Sequence, residues 1–193
     1  MARARKLFPI YGSTLANHIR VALVHDRMVP DFVAAYVKQY NRTGILGGPA
    51  RDRELAETIG REIILALIVE TRNTLPRFFG KQKISKLRPE ESAAADAFFG
   101  ELLGALERAY KWSVDDRRQF HRDLALYIDF NERRERPDRS RKKKSAGEEV
   151  PFTSRVALLL DPSMLEEARS AARKFYGDLE KLSQKLMKKT FVG

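Results

Sequence analysis

Residues 51–74 read RDRELAETIGREIILALIVETRNT, and this stretch decides the fold class. Leu55, Ile59, Ile63 and Leu67 recur at steps of four, the repeat of one helical face, and residues 63–69 are apolar without a break. A helix that is apolar all round its middle needs cover on every side, so the pattern predicts a deeply buried central helix that Pro76 ends. The same run is the longest apolar one in the chain. A helical membrane crossing needs roughly 20 apolar residues, so no segment is expected to span a bilayer as a helix.

Helical periods continue on both sides. Upstream, Leu15, Ile19, Ala22 and Leu23 share a face over residues 14–28, with Ser13 or Thr14 as N-cap. Phe32, Val33, Tyr36, Val37 and Tyr40 form a second stripe, which should stop near Asn41 because Gly44, Gly47, Gly48 and Pro49 follow. Downstream, Pro89 suits a first helical turn, and Ala94, Phe98, Leu102, Leu106 and Ala109 lead on to Trp112, with Gly100 and Gly104 weakening the helix or permitting close packing. Ser113 and Asp116 have capping-box spacing ahead of Phe120, Leu124, Tyr127 and Ile128. Residues 152–160 fit a short strand or a helical turn. Asp161-Pro162 reads as the N-cap and first turn of a last helix, in which Leu165, Ala168, Ala172, Phe175, Leu179, Leu182 and Leu186 step by three and four. Such a seam packs on its own chain, pairs with a second copy, or docks on a foreign helix.

The expected architecture is therefore all-α: a bundle of about six helices with a long heptad-patterned C-terminal helix. By composition, residues 1–132 form a helical body with a basic N-terminal arm, 133–151 a disordered basic linker, and 152–193 a C-terminal helical segment that packs on the body or on a partner. The arm begins Met1-Ala2-Arg3-Ala4-Arg5-Lys6, like the start of a signal peptide, but Pro9 and Gly12 break the apolar stretch that should follow. The chain has no cysteine, which excludes disulfides, thiolate metal sites and thiol nucleophiles and fits a cytoplasmic location.

Charge is the strongest functional signal. The chain holds 37 Lys and Arg against 26 Asp and Glu, a net +11. Four windows hold a net +18 of this: Arg3, Arg5 and Lys6; residues 77–88; residues 133–144; and Lys181, Lys185, Lys188 and Lys189. The remainder, with 17 bases and 24 acids, nets −7. Segregated positive charge suits a polyanion, since each phosphate neutralised by Lys or Arg releases condensed counterions. The expected contacts are Arg77, Lys81, Lys83, Lys86 and Arg88 in one window, and Arg139, Arg141, Lys142, Lys143 and Lys144 in another. Phe78 and Phe79 beside the first set either stack on bases or fill a core.

Catalytic motifs are weaker. His121-Arg122-Asp123-Leu124 copies the opening of a protein-kinase catalytic loop, but Ile128 stands where the metal-binding asparagine belongs and Asp129-Phe130 is followed by Asn131; a charged helical face is the expectation. Gly44-Ile45-Leu46-Gly47-Gly48 lacks the lysine and hydroxyl residue that a phosphate-cradling loop requires. The pair His25-Asp26 resembles the metal-binding core of the all-helical HD-domain phosphohydrolases, a resemblance of two residues that implies further His and Asp ligands on other helices. His18 is seven residues away, about 10 Å along a helix axis at 1.5 Å per residue, too far to share a metal with His25. No catalytic residue, metal or cofactor is assigned. The function expected is a non-enzymatic nucleic-acid-binding or nucleoprotein-associated protein, followed by a helical adaptor using the C-terminal seam and then by a metal-dependent hydrolase.

Overall fold

A computed structural model describes residues 2–24, 26–41, 49–135 and 149–192. Among these residues the ordered elements are all helical. They are α1 (Ala2–Val24), α2 (Met28–Tyr40), α3 (Pro49–Thr74), α4 (Pro89–Tyr110), α5 (Val114–Glu135), α6 (Pro151–Leu160) and α7 (Leu165–Val192), with 3-10 turns at Leu75–Phe79 and Ile84–Lys86. No described helix is long and apolar enough to cross a membrane.

The decisive stretch behaves as its pattern requires. All eight residues 62–69 of α3 are buried, and Ile59, Ile63, Leu65 and Ala66 are wholly so. By its internal contacts the chain divides into two compact units, and α3 contributes to both. The first unit comprises Met1–Arg27, Leu67–Arg118 and Glu180–Gly193; the second comprises Met28–Ala66 and Gln119–Leu179.

In the first unit, α1 packs along α4. Leu15 and Ile19 of α1 and Phe98, Leu102 and Leu106 of α4 are fully buried. Pro9 and Gly12, which break the apolar stretch in the sequence, do not interrupt α1. A β-carbon built on Gly12 would land on the Phe98 carbonyl oxygen, 3.0 Å from the Leu102 nitrogen and 3.3 Å from Glu101 Cβ. Only a residue without a side chain lets the two backbones approach so closely, and that packing outweighs glycine's poor helix propensity. Gly100 of α4 has open space around it, so the close approach uses the other helix's glycine. Because α1 starts at Ala2, the expected caps Ser13 and Thr14 lie inside it, and their hydroxyls donate to the Ile10 carbonyl at 3.0 and 2.9 Å.

In the second unit, Val29, Phe32, Val33 and Tyr36 of α2 are buried, and Phe32 stacks on Phe175 of α7 with ring centroids 4.1 Å apart. The expected stop of α2 falls at Asn41, whose φ of 51° is the left-handed conformation asparagine tolerates. The capping box of α5 forms as its spacing predicts: Asp116 N–H donates to Ser113 Oγ at 3.1 Å, and Ser113 N–H donates to Asp116 Oδ2 at 3.1 Å. Residues 152–160 resolve as helix, in α6. Asp161 ends α6 and does not cap α7; it is buried, and its carboxylate accepts from the Ser163 N–H at 3.0 Å and the Ser163 hydroxyl at 2.6 Å.

The structure describes only the two edges of the expected linker. Residues 133–135 continue α5, with Arg133 paired to Asp129 at 3.0 Å, and Glu149 pairs with Arg169 at 3.3 Å and Arg173 at 3.0 Å. Residues 136–148 lie outside the described residues. On α7, Ala168, Ala172, Leu179 and Leu186 of the expected seam are buried by their own chain. Phe175 and Leu182 are only half-buried, and Tyr176 and Ser183 take the inward places beside them.

Candidate nucleic-acid interface

The basic segment after α3 is shaped by its anchors. Leu75 and Pro76 are buried, which fixes the 3-10 turn, and Gly80 closes it at φ 69° with its N–H on the Arg77 carbonyl at 3.0 Å. The chain then runs extended at Lys83 before the second 3-10 turn, a path that leaves Arg77, Lys83 and Lys86 exposed and Lys81 half-exposed. Leu87 and Arg88 lead into α4.

Arg88 is held by Glu91. Its guanidinium donates to Glu91 Oε1 through Nε at 2.8 Å and Nη2 at 2.5 Å, while its backbone N–H donates to Oε2 at 2.8 Å. These bonds hold the Glu91 carboxyl below its usual range and raise the Arg88 guanidinium. Arg88 therefore organises the start of α4, and its charge is already engaged. The sequence signal was the Glu three places beyond it, in the usual capping-box position, just outside the window of bases.

Phe191 of α7 joins this segment to two helices of the same unit. Its ring stacks on Phe78 at 4.6 Å and meets Tyr11 of α1 at 4.8 Å and Phe98 of α4 at 5.7 Å. The window 77–88, the end of α7 and α1 therefore meet at one aromatic cluster. The first unit holds nineteen Lys and Arg against ten Asp and Glu, a net +9; the second holds eighteen against sixteen, a net +2. Arg139, Arg141, Lys142, Lys143 and Lys144 lie outside the described residues.

A second polar cluster lies in the second unit. Glu62 of α3 and Asp123 of α5 are both 4% exposed. Arg155 of α6 bridges them, with Nε 3.3 Å from Glu62 and Nη2 3.0 Å from Asp123. Arg61 reaches Asp123 at 3.4 Å, Gln119 donates to it at 3.2 Å, and the Tyr127 hydroxyl donates to Glu62 at 2.5 Å. Burial raises the Glu62 carboxyl above its ordinary 4.5, against the lowering effect of Tyr127 and Arg155, and burial beside Glu62 also raises the Tyr127 hydroxyl. Each carboxylate is met by donors from this chain, so the cluster is a tie between α3, α5 and α6. It corrects the reading of His121-Arg122-Asp123 as a charged outer face: His121 and Arg122 are exposed, but Asp123 turns inward. The clue was its position between Phe120, Leu124 and Tyr127 on the apolar arc.

His25 lies outside the described residues, and among those described no three His, Asp or Glu side chains are grouped to hold a metal. His18 bonds to α7. Its Nδ1 lies 3.2 Å from Thr190 Oγ1, which is also 2.8 Å from the Leu186 carbonyl. Burial and the Lys189 ammonium both hold His18 below its ordinary 6.5. Compared with family models, with curated proteins and with solved structures, the chain finds no match in any of the three.

Proposed function

We propose that this chain is a non-enzymatic nucleic-acid-binding protein that contacts phosphates through Arg77, Lys81, Lys83 and Lys86 and through Arg139, Arg141, Lys142, Lys143 and Lys144. The observation that carries this reading is that three of the four basic windows fall in one unit, which the Phe78, Tyr11 and Phe98 contacts of Phe191 tie together. Lys83 and Lys86 stand exposed at the second 3-10 turn, in which no residue is buried. Binding through such side chains is electrostatic and sequence-tolerant.

The test is fluorescence anisotropy of a labelled mixed-sequence duplex, titrated across a salt series. Affinity should fall steeply with salt, and the double substitution Lys83→Gln, Lys86→Gln should flatten the log–log slope by about 0.9 for each duplex phosphate that is no longer neutralised. Replacing Arg141, Lys142, Lys143 and Lys144 by Gln should flatten it separately. No binding by the unaltered protein near physiological salt would reject the function. Unchanged slopes in both variants would reject these residues as the phosphate-binding groups.

A further inference from the structure

We propose that Lys185, Lys188 and Lys189 of α7 form a ridge that grips the phosphate backbone of double-stranded nucleic acid without reading bases. The inference rests on the nucleic-acid reading above and adds residues and a partner class to it. At 100° per residue the three lysines span an arc of about 100°, while Leu179, Ser183, Leu186, Met187 and Thr190 occupy the opposite side. The structure agrees: those five are buried and the three lysines exposed.

One structural explanation of the lysines is the negative end of the helix dipole, but that effect falls off within the last turn. It reaches Lys189 and leaves Lys185 and Lys188 unexplained. Two other observations choose the partner. Base stacking on single strands needs a free ring face, and the nearby rings Phe78 and Phe191 are stacked on each other, with Tyr11 and Phe98 also against Phe191. An anionic membrane is bound by helices that offer an apolar face beside their lysines, whereas the exposed residues of 180–189 are Glu180, Lys181, Gln184 and the three ridge lysines. A duplex, with a charge every ~1.7 Å along its axis, asks only for outward-pointing cations.

The experiment compares a 20-base-pair duplex, a single strand of equal length and phosphatidylserine vesicles, each titrated over a salt series. It uses the unaltered protein, the ridge variant Lys185→Gln, Lys188→Gln, Lys189→Gln, and a control variant Lys38→Gln, Arg53→Gln, Lys174→Gln. The control removes three exposed bases from the second unit. Circular dichroism melts check that both variants fold. The expected result is tightest binding to the duplex, with a slope lowered by about 2–3 in the ridge variant and unchanged in the control. Equal slopes in the two variants, or tighter binding to the single strand or the vesicles, would overturn the ridge while leaving some anion binding intact. Failure of the unaltered protein to bind any nucleic acid would overturn the ridge and the function together.

Discussion

A single hydrogen atom at position 12 sets how closely α1 and α4 approach. Gly12→Ala should destabilise the protein by about 1–3 kcal/mol, since the added carbon meets backbone that cannot swing aside as a side chain can. At about 2–4 °C per kcal/mol for a chain of this size, calorimetry should show a fall of several degrees. Gly100→Ala should do the opposite, gaining up to about 1 kcal/mol of helix propensity in open space. Sequence alone could not separate these glycines, because what distinguishes them is the neighbour each one meets. The buried carboxylate of Glu62 supplies a second residue-level test. Its raised titration means that the folded state binds the proton more tightly than the unfolded state, so its contribution to stability falls as pH rises from 4.5 through the folded value. Urea melts of wild type and Glu62→Gln across that range should show the decline in the wild type and its loss in the variant. Arg155→Met should cost about 2 kcal/mol by stripping two carboxylates of their bridge. That is below the ~3–5 kcal/mol of a fully buried pair because Arg155 is 36% exposed.

At the scale of elements, α7 shows how a correct helix can carry a misplaced seam. Its buried positions run Ala168, Ala172, Tyr176, Leu179, Ser183, Leu186 with Met187, and Thr190, so 22 residues take six steps and the mean step is near 3.7. The heptad reading assumed 3.5. An ideal helix drifts about 20° per heptad against that repeat, enough to leave Phe175 and Leu182 half-buried and bring Tyr176 and Ser183 in. Leu179→Ala should accordingly cost about 2–5 kcal/mol, and Leu182→Ala clearly less, as measured by chemical unfolding. Helix positions were legible where local rules suffice: the box of Ser113 and Asp116, Pro89 in a first turn, Asn41 at an end. They were misread where a tertiary partner decides, as at Ser13, Thr14 and Asp161. The exposed bases of residues 77–88 were legible as a candidate site, whereas the Arg88 pair with Glu91, the contacts of Phe191 and the Arg155 bridge needed coordinates, since each joins residues through geometry that composition does not carry.

For the whole molecule, the proposed function together with the imbalance of +9 in one unit against +2 in the other predicts that stability answers to anions. A duplex bound only by the folded state should raise the melting temperature, by an amount equivalent to about 2.7 kcal/mol at a hundred times its dissociation constant. Excess salt should abolish that gain. The composition of the first unit also bears on how the chain is made. Its parts are the first 27 residues, a middle stretch and Glu180–Gly193, and the second unit needs residues as late as Leu179. A ribosome adding roughly 5–20 residues per second exposes the apolar run 63–69 for several seconds before its last partners emerge. Neither unit can close early. Full burial of the run should therefore wait for the late-made parts that complete both units, residues up to Leu179 in one and Glu180–Gly193 in the other, so a nascent chain halted before them should be easier to digest than the finished protein.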